Sequence, residues 1–115
     1  MRAQWIREGE GFVIVYRITS RESFNWVENF YRQIIRVRWY DLRCPIMLAA
    51  SHCDRITERQ VSTEEGHALA KRLGCEFLEC SAKNGINVEK AFYNVVRLIR
   101  RKRRAVEIKG GILQN

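Results

Sequence analysis

Proline is almost missing from this chain of 115 residues: it has one, beside seven glycines. That excludes a collagen-like repeat and an extended proline-rich linker. Long apolar runs are absent too, the longest being Phe12 to Tyr16 and Ile46 to Ala50, far too short to span a bilayer. No secretory leader is expected, because Arg2, Arg7, Glu8 and Glu10 break any apolar stretch at the start. The four cysteines, Cys44, Cys53, Cys75 and Cys80, lack C-x-x-C spacing, and no close pair of histidines accompanies them. A zinc site or a disulfide framework is therefore not expected, and a reducing, cytoplasmic setting is.

What is present points to one small globular domain. Hydrophobic residues make up 46% and charged residues 30%, a balance that can bury a core. The net charge of +8 is concentrated. Arg97, Arg100, Arg101, Lys102, Arg103 and Arg104 supply six charges in a stretch without an acid, leaving only +2 for the rest. Basicity is thus a local patch.

Strand and helix patterns alternate. Gly11 to Tyr16 is rich in β-branched and aromatic residues and reads as a strand buried on both faces. Thr19 or Ser20 can cap a helix with Phe24, Val27, Tyr31, Ile34 and the Arg38 stem in one stripe. Ile46 to Ala50 is a second buried strand, and Ser51 to Arg59 a loop. Ser62 and Glu65 form a capping box for a helix that stops at Gly74, and Cys75 to Cys80 is a third strand. After an Asn84-Gly85 turn, Asn87 caps a last helix with Val88, Phe92, Val95 and Ile99 on one face. Residues 105–115 read as a flexible tail after a domain spanning 1–104. The order implies an α/β fold of three parallel strands and three helices, with helices on both faces. In such sheets ligands sit beyond the carboxyl ends of the strands. Those ends hold Thr19-Ser20, Ser51 to Asp54 and Ser81 to Lys83.

Taken together, these segments resemble the carboxy-terminal half of a Ras-family small GTPase. The resemblance runs through Gly9-Glu-Gly-Phe12, Ser23-Phe24, Gln33-Ile34, Arg36-Val37, Cys53-Asp54, Glu79-Cys-Ser-Ala-Lys83 and Val96-Arg97. It is most like fungal members around Ile86-Asn-Val88 and Ala91-Phe-Tyr93. It implies a partial P-loop-NTPase-type, three-layer fold and a parent protein that is a GTP-hydrolysing switch at the cytoplasmic face of a membrane. The family's N-K-x-D loop for guanine falls on Ser51, His52, Cys53 and Asp54. The resemblance makes Asp54 the acceptor for guanine N1–H and N2–H2, which adenine cannot offer. It makes the Ala82 N–H the donor to guanine O6 and sets Lys83 beside the ring, in an intact Ser81-Ala82-Lys83 motif.

Departures weaken the expected site. Ser51 stands where the family has asparagine, His52 where it has lysine, and Ala50 where it usually has glycine. These residues contain no G-x-x-x-x-G-K-[ST], no D-x-x-G magnesium loop and no effector-binding switch segment. Catalytic residues and a magnesium site are thus not expected within this stretch, and phosphoryl transfer depends on such parts. Two charge-assisted hydrogen bonds at Asp54 are worth roughly 3–6 kcal/mol. Association costs about 4–15 kcal/mol, so GTP or GDP is expected to bind at millimolar affinity or not at all.

Other partners follow from the remaining features. The basic run reads as a solvated helix end first, an anionic membrane patch second and a nucleic-acid contact third. The printed sequence ends Gly-Gly-Ile-Leu-Gln-Asn, with no cysteine to prenylate. An apolar edge at strand 11–16, or a Trp26/Phe30 face on the long helix, offers a surface for a protein partner or for self-association. A non-enzymatic interaction module is therefore the competing reading.

Overall fold

A computed structural model describes residues 9–39, 44–81, 83–87, 89–90 and 93–101. Three strands, β1 (Phe12–Arg17), β2 (Ile46–Ser51) and β3 (Glu76–Glu79), form one parallel sheet in the order β1-β2-β3. Between β1 and β2 lie α1 (Arg21–Asn25) and α2 (Val27–Val37). A single 3-10 turn (Ile56–Glu58) and α3 (Thr63–Leu73) join β2 to β3. Residues 93–101 form a last helix, α4.

The strands are built as the apolar runs require. β2 is buried from Ile46 to Ala50, since it is flanked on both sides and covered on both faces. The expectation that β1 is buried on both faces needs correcting. Ile14 and Tyr16 are buried, but Val15 between them is 56% exposed. An apolar run shows only that both faces tolerate burial, and no described element covers β1 at Val15. Among the described residues β1 is also an edge strand.

One face of the sheet carries the main core. Ile14, Tyr16, Ile46, Leu48 and Ala50 meet Val27 and Ile34 of α2, and Leu69 and Ala70 of α3. On the opposite face Met47, Ala49 and Leu78 pack with Val13 and Cys80. α4 lies on that second side, with Val95 and Ile99 against Gly11 and Arg97 reaching Glu76 of β3 at 3.2 Å. Helices thus cover both faces.

The expected long first helix is two helices. Ser20 caps α1 through the Ser23 N–H, and the Ser23 hydroxyl bonds back to the Ser20 and Arg17 carbonyls. These bonds tie the first turn to the end of β1, and the chain restarts as α2 after Trp26. The stripe survives the break: Val27, Ile34 and Arg38 are buried, and Phe24 and Tyr31 pack against the core. Phe30 also turns inward, whereas Trp26 stays half exposed with its ring 6.3 Å from that of Phe30. α3 begins with the expected capping box and ends at Gly74 in the left-handed conformation, φ 74°. Asn87 is left-handed, φ 58°, and its side-chain amide donates to the Glu79 carbonyl at 2.8 Å. Val88, Phe92 and the tail 105–115 lie outside the described residues.

Candidate functional site

The carboxyl ends of β2 and β3 lie side by side because the two strands are parallel neighbours. Backbone bonds carry the pairing past the strands: Cys80 N–H donates to Ala50 at 2.7 Å, and Cys53 N–H to Cys80 at 3.1 Å. Two loops that are far apart in sequence are thereby brought together. Their side chains then complete the junction. Ser81, fully buried, donates its hydroxyl proton to Asp54 Oδ1 at 2.6 Å and accepts the Asn84 N–H at 3.3 Å. The Ser81 backbone also exchanges two hydrogen bonds with Ile86, both 2.9 Å, closing the loop around the Asn84-Gly85 turn.

Asp54 is kept ionised by this arrangement. Its carboxyl is held below the ordinary 3.8, chiefly by the Ser81 hydroxyl, with help from its own backbone N–H and the charges of Lys83 and Arg55. A carboxylate offers about four lone-pair positions, so the bond from Ser81 leaves acceptor capacity toward the cleft.

His52 adopts a left-handed backbone, φ 64°, a conformation sparsely populated by non-glycine residues and concentrated at functional sites. Its Nδ1 lies 3.0 Å from the Ser51 hydroxyl, which itself donates to the Tyr16 carbonyl at 3.1 Å. A hydroxyl has one proton to give, so His52 donates from Nδ1–H to Ser51. The pair is thus anchored to β1, and Ser51 ties the ends of β1 and β2 together.

Five of the six residues singled out in the two loops line one cleft of about 140 Å³: Ser51, His52, Asp54, Ser81 and Lys83. The sixth, Ala82, lies outside the described residues. Arg55 also lines the cleft and was not singled out. A turn closed by Arg55 N–H to the His52 carbonyl, at 2.9 Å, brings this residue to the mouth. The cleft is smaller than the roughly 300 Å³ at which pockets for whole ligands begin. It is open, carries one anion among cations, and suits a flat polar ring.

The basic patch is elsewhere. Arg97, Arg100 and Arg101 lie on α4 beside Tyr93 and Val96, around a second, shallow depression of about 280 Å³. Lys102, Arg103 and Arg104 lie outside the described residues. No helix among the described residues is long and apolar enough to cross a membrane.

A parallel sheet flanked by helices on both faces, with a polar cleft at the carboxyl ends of adjacent strands, defines an α/β fold with its cleft where such sheets bind ligands. The Ras family model matches residues 1–101, and the chain belongs to that family. It is 53% identical over 120 residues to Ras-like protein 1 of Pyricularia oryzae, covering 90% of this chain and 50% of that protein. Identity is 50% over 121 residues to protein ras-2 of Neurospora crassa, covering 90% and 53%. For Ras-like protein B of Aspergillus fumigatus it is 49% over 125 residues, covering 90% and 52%. The chain spans about half the length of the curated relatives it matches.

Proposed function

We propose that this chain is the guanine-recognising half of a Ras-type GTP/GDP switch, with Ser51, His52, Asp54, Ser81, Ala82 and Lys83 as its base site. One observation carries the reading: Asp54 is held at the rim of the cleft by the buried Ser81 hydroxyl, ionised and with acceptor positions to spare. Guanine presents two adjacent N–H donors to such a carboxylate and adenine does not, so Asp54 sets base choice. The cleft takes a base and not a whole nucleotide, and the sequence holds no phosphate-cradling glycine loop or magnesium loop. Hydrolysis is therefore the work of parts beyond this stretch, and the stretch itself binds the base weakly.

An NMR titration of the ¹⁵N-labelled chain with GDP and, separately, ADP tests this. The expected result is fast-exchange shifts at Asp54, Ser81 and Lys83 that saturate in the millimolar range with GDP, are smaller with ADP, and lose this preference in Asp54→Ala. Equal shifts for both nucleotides, or none in folded protein, overturn the reading.

A second reading concerns the basic end of α4. Tyr93 is 67% exposed and Val96 41%, and both adjoin Arg97, Arg100 and Arg101. An aromatic ring, an apolar side chain and arginines on one surface match the layers of an anionic lipid interface, and each cation near such a surface contributes about 1 kcal/mol. This supports peripheral contact with the inner face of the plasma membrane. Sedimentation with phosphatidylserine vesicles should show binding that falls steeply with salt, and no binding at low salt would refute it.

A further inference from the structure

Resting on the base-site reading, the geometry points to Arg55 as a further ligand-contacting residue, one whose guanidinium stacks on the face of the base that Asp54 holds by its edge. Several observations converge on it. Arg55 lines the same cleft as Asp54 and Lys83. The turn His52 to Arg55, closed by a 2.9 Å backbone bond, fixes where its side chain leaves the chain. Among the described residues its side chain bonds Glu58, at 3.3 Å and with both groups half exposed. An exposed pair of this kind holds an arginine in place weakly and is exchanged at small cost. The His52 ring, also at the mouth, has its Nδ1 engaged with Ser51. A planar guanidinium stacks on a heteroaromatic ring where an ammonium cannot, which separates Arg55 from Lys83 in kind.

Edge and face contacts make separable contributions. Edge hydrogen bonds at Asp54 discriminate between bases. Stacking is tolerant of base identity, because every base has a π face. Arg55 therefore supplies affinity and Asp54 supplies selectivity.

The test uses guanosine and adenosine, which carry no phosphate, titrated by NMR into the whole chain and its variants. Arg55→Ala should weaken both nucleosides by about two- to fivefold with their ratio unchanged, the range expected of a cation over a ring at an exposed site. Arg55→Lys should recover little of the loss, while Asp54→Ala should abolish the ratio. Unchanged affinity in Arg55→Ala, with the Asp54 effect intact, overturns the role of Arg55 and leaves the base site standing. Full recovery by Arg55→Lys overturns stacking in favour of charge alone. No selective binding by the unaltered chain overturns both readings together.

Discussion

Replacing a helical glycine by alanine ordinarily stabilises a protein, by about 1 kcal/mol, because alanine is the better helix former. Gly66 of α3 should reverse that sign. It is buried, and its N–H is the first to join the helix ladder, to the Ser62 carbonyl at 3.3 Å. A Cβ built there would lie 2.5 Å from Phe77 Cζ, 2.7 Å from Phe77 Cε1 and 2.5 Å from Tyr16 Oη. Tyr16 is 1% exposed and sits near the carboxyl end of β1, while Phe77 belongs to β3, so both rings are carried by strands. Relief would require the helix to lift from the sheet. Overpacking of this kind costs typically about 1–3 kcal/mol, which outweighs the propensity gain. The net expectation is a loss of about 1 kcal/mol, or about 4 °C in Tm for a chain of 115 residues.

Thermal unfolding followed by far-ultraviolet circular dichroism measures it directly. A companion variant supplies the control. The Tyr16 hydroxyl is buried without a hydrogen-bond partner among the described residues, and burial raises its pKa strongly. Tyr16→Phe should therefore raise stability by about 1 kcal/mol on its own. In the double variant it should restore only part of the Gly66→Ala loss, because the Phe77 contacts remain. A Gly66→Ala protein with a raised Tm would refute the packing argument, and exact additivity in the double variant would refute the role of Tyr16 in it.

Glu79 accepts two bonds from Arg59, 2.8 and 2.9 Å, and one from Thr63 at 3.0 Å, and its carboxyl is held below the ordinary 4.5 chiefly by Arg59. Its contribution is complete above 4.5 and lost as pH falls through the depressed value, so Glu79→Gln should cost about 1–3 kcal/mol at neutral pH and flatten the acid limb of stability. Constancy of Tm in that variant at pH 7 would count against this. The Glu65 carboxyl, bonded by Arg21 and the Ser62 N–H, should titrate at about 2 by ¹³C NMR and move toward 4.5 in Arg21→Ala; a midpoint above 4 in the unaltered chain would contradict the geometry. Ser62→Ala removes the side-chain half of the capping box and should cost about 1 kcal/mol in denaturant unfolding. Sedimentation velocity should show concentration-dependent self-association through β1, reduced by Val15→Lys, whereas a monomer at every concentration would exclude that edge as a contact.

The fold was legible wherever a single local signal sufficed. β2, the capping box at Ser62 and the left-handed Gly74 each follow from a few adjacent residues, and the stripe from Phe24 to Arg38 follows from spacing. The break at Trp26 was not legible, because the apolar spacing runs through it without interruption and Trp26 itself keeps helical backbone angles. The exposure of Val15 was missed for a related reason: an apolar residue in a strand records what its face can bear, not what covers it. In the cleft, topology pointed to the loops at the strand ends, and the family resemblance picked out the residues within two of them. Arg55 escaped because a long surface arginine beside a glutamate reads as an ordinary solvated ion pair, and only the turn geometry brings it to the mouth.

The way the cleft is assembled explains how a degenerate motif can still define a site. Asparagine and lysine are absent at 51 and 52, yet the two loops remain joined by the Cys53–Cys80 backbone bond and the Ser81–Asp54 bond, neither of which uses those positions. Ser51 keeps a shorter tie, to the Tyr16 carbonyl, and so spends its one proton on the sheet instead of across the loops. Substitution at 51 and 52 thus removes contacts that reach outward from the base site and leaves intact those that hold its acceptor. Under the proposed reading, base choice rests on the position and charge of one carboxylate, and both depend on the buried Ser81. Affinity rests on contacts to the rest of a nucleotide, which the cleft is too small to supply. Under the proposed reading, selectivity is carried by Asp54 in this cleft, while most of a nucleotide's affinity comes from contacts outside it, with Arg55 adding the share that stacking on the base supplies.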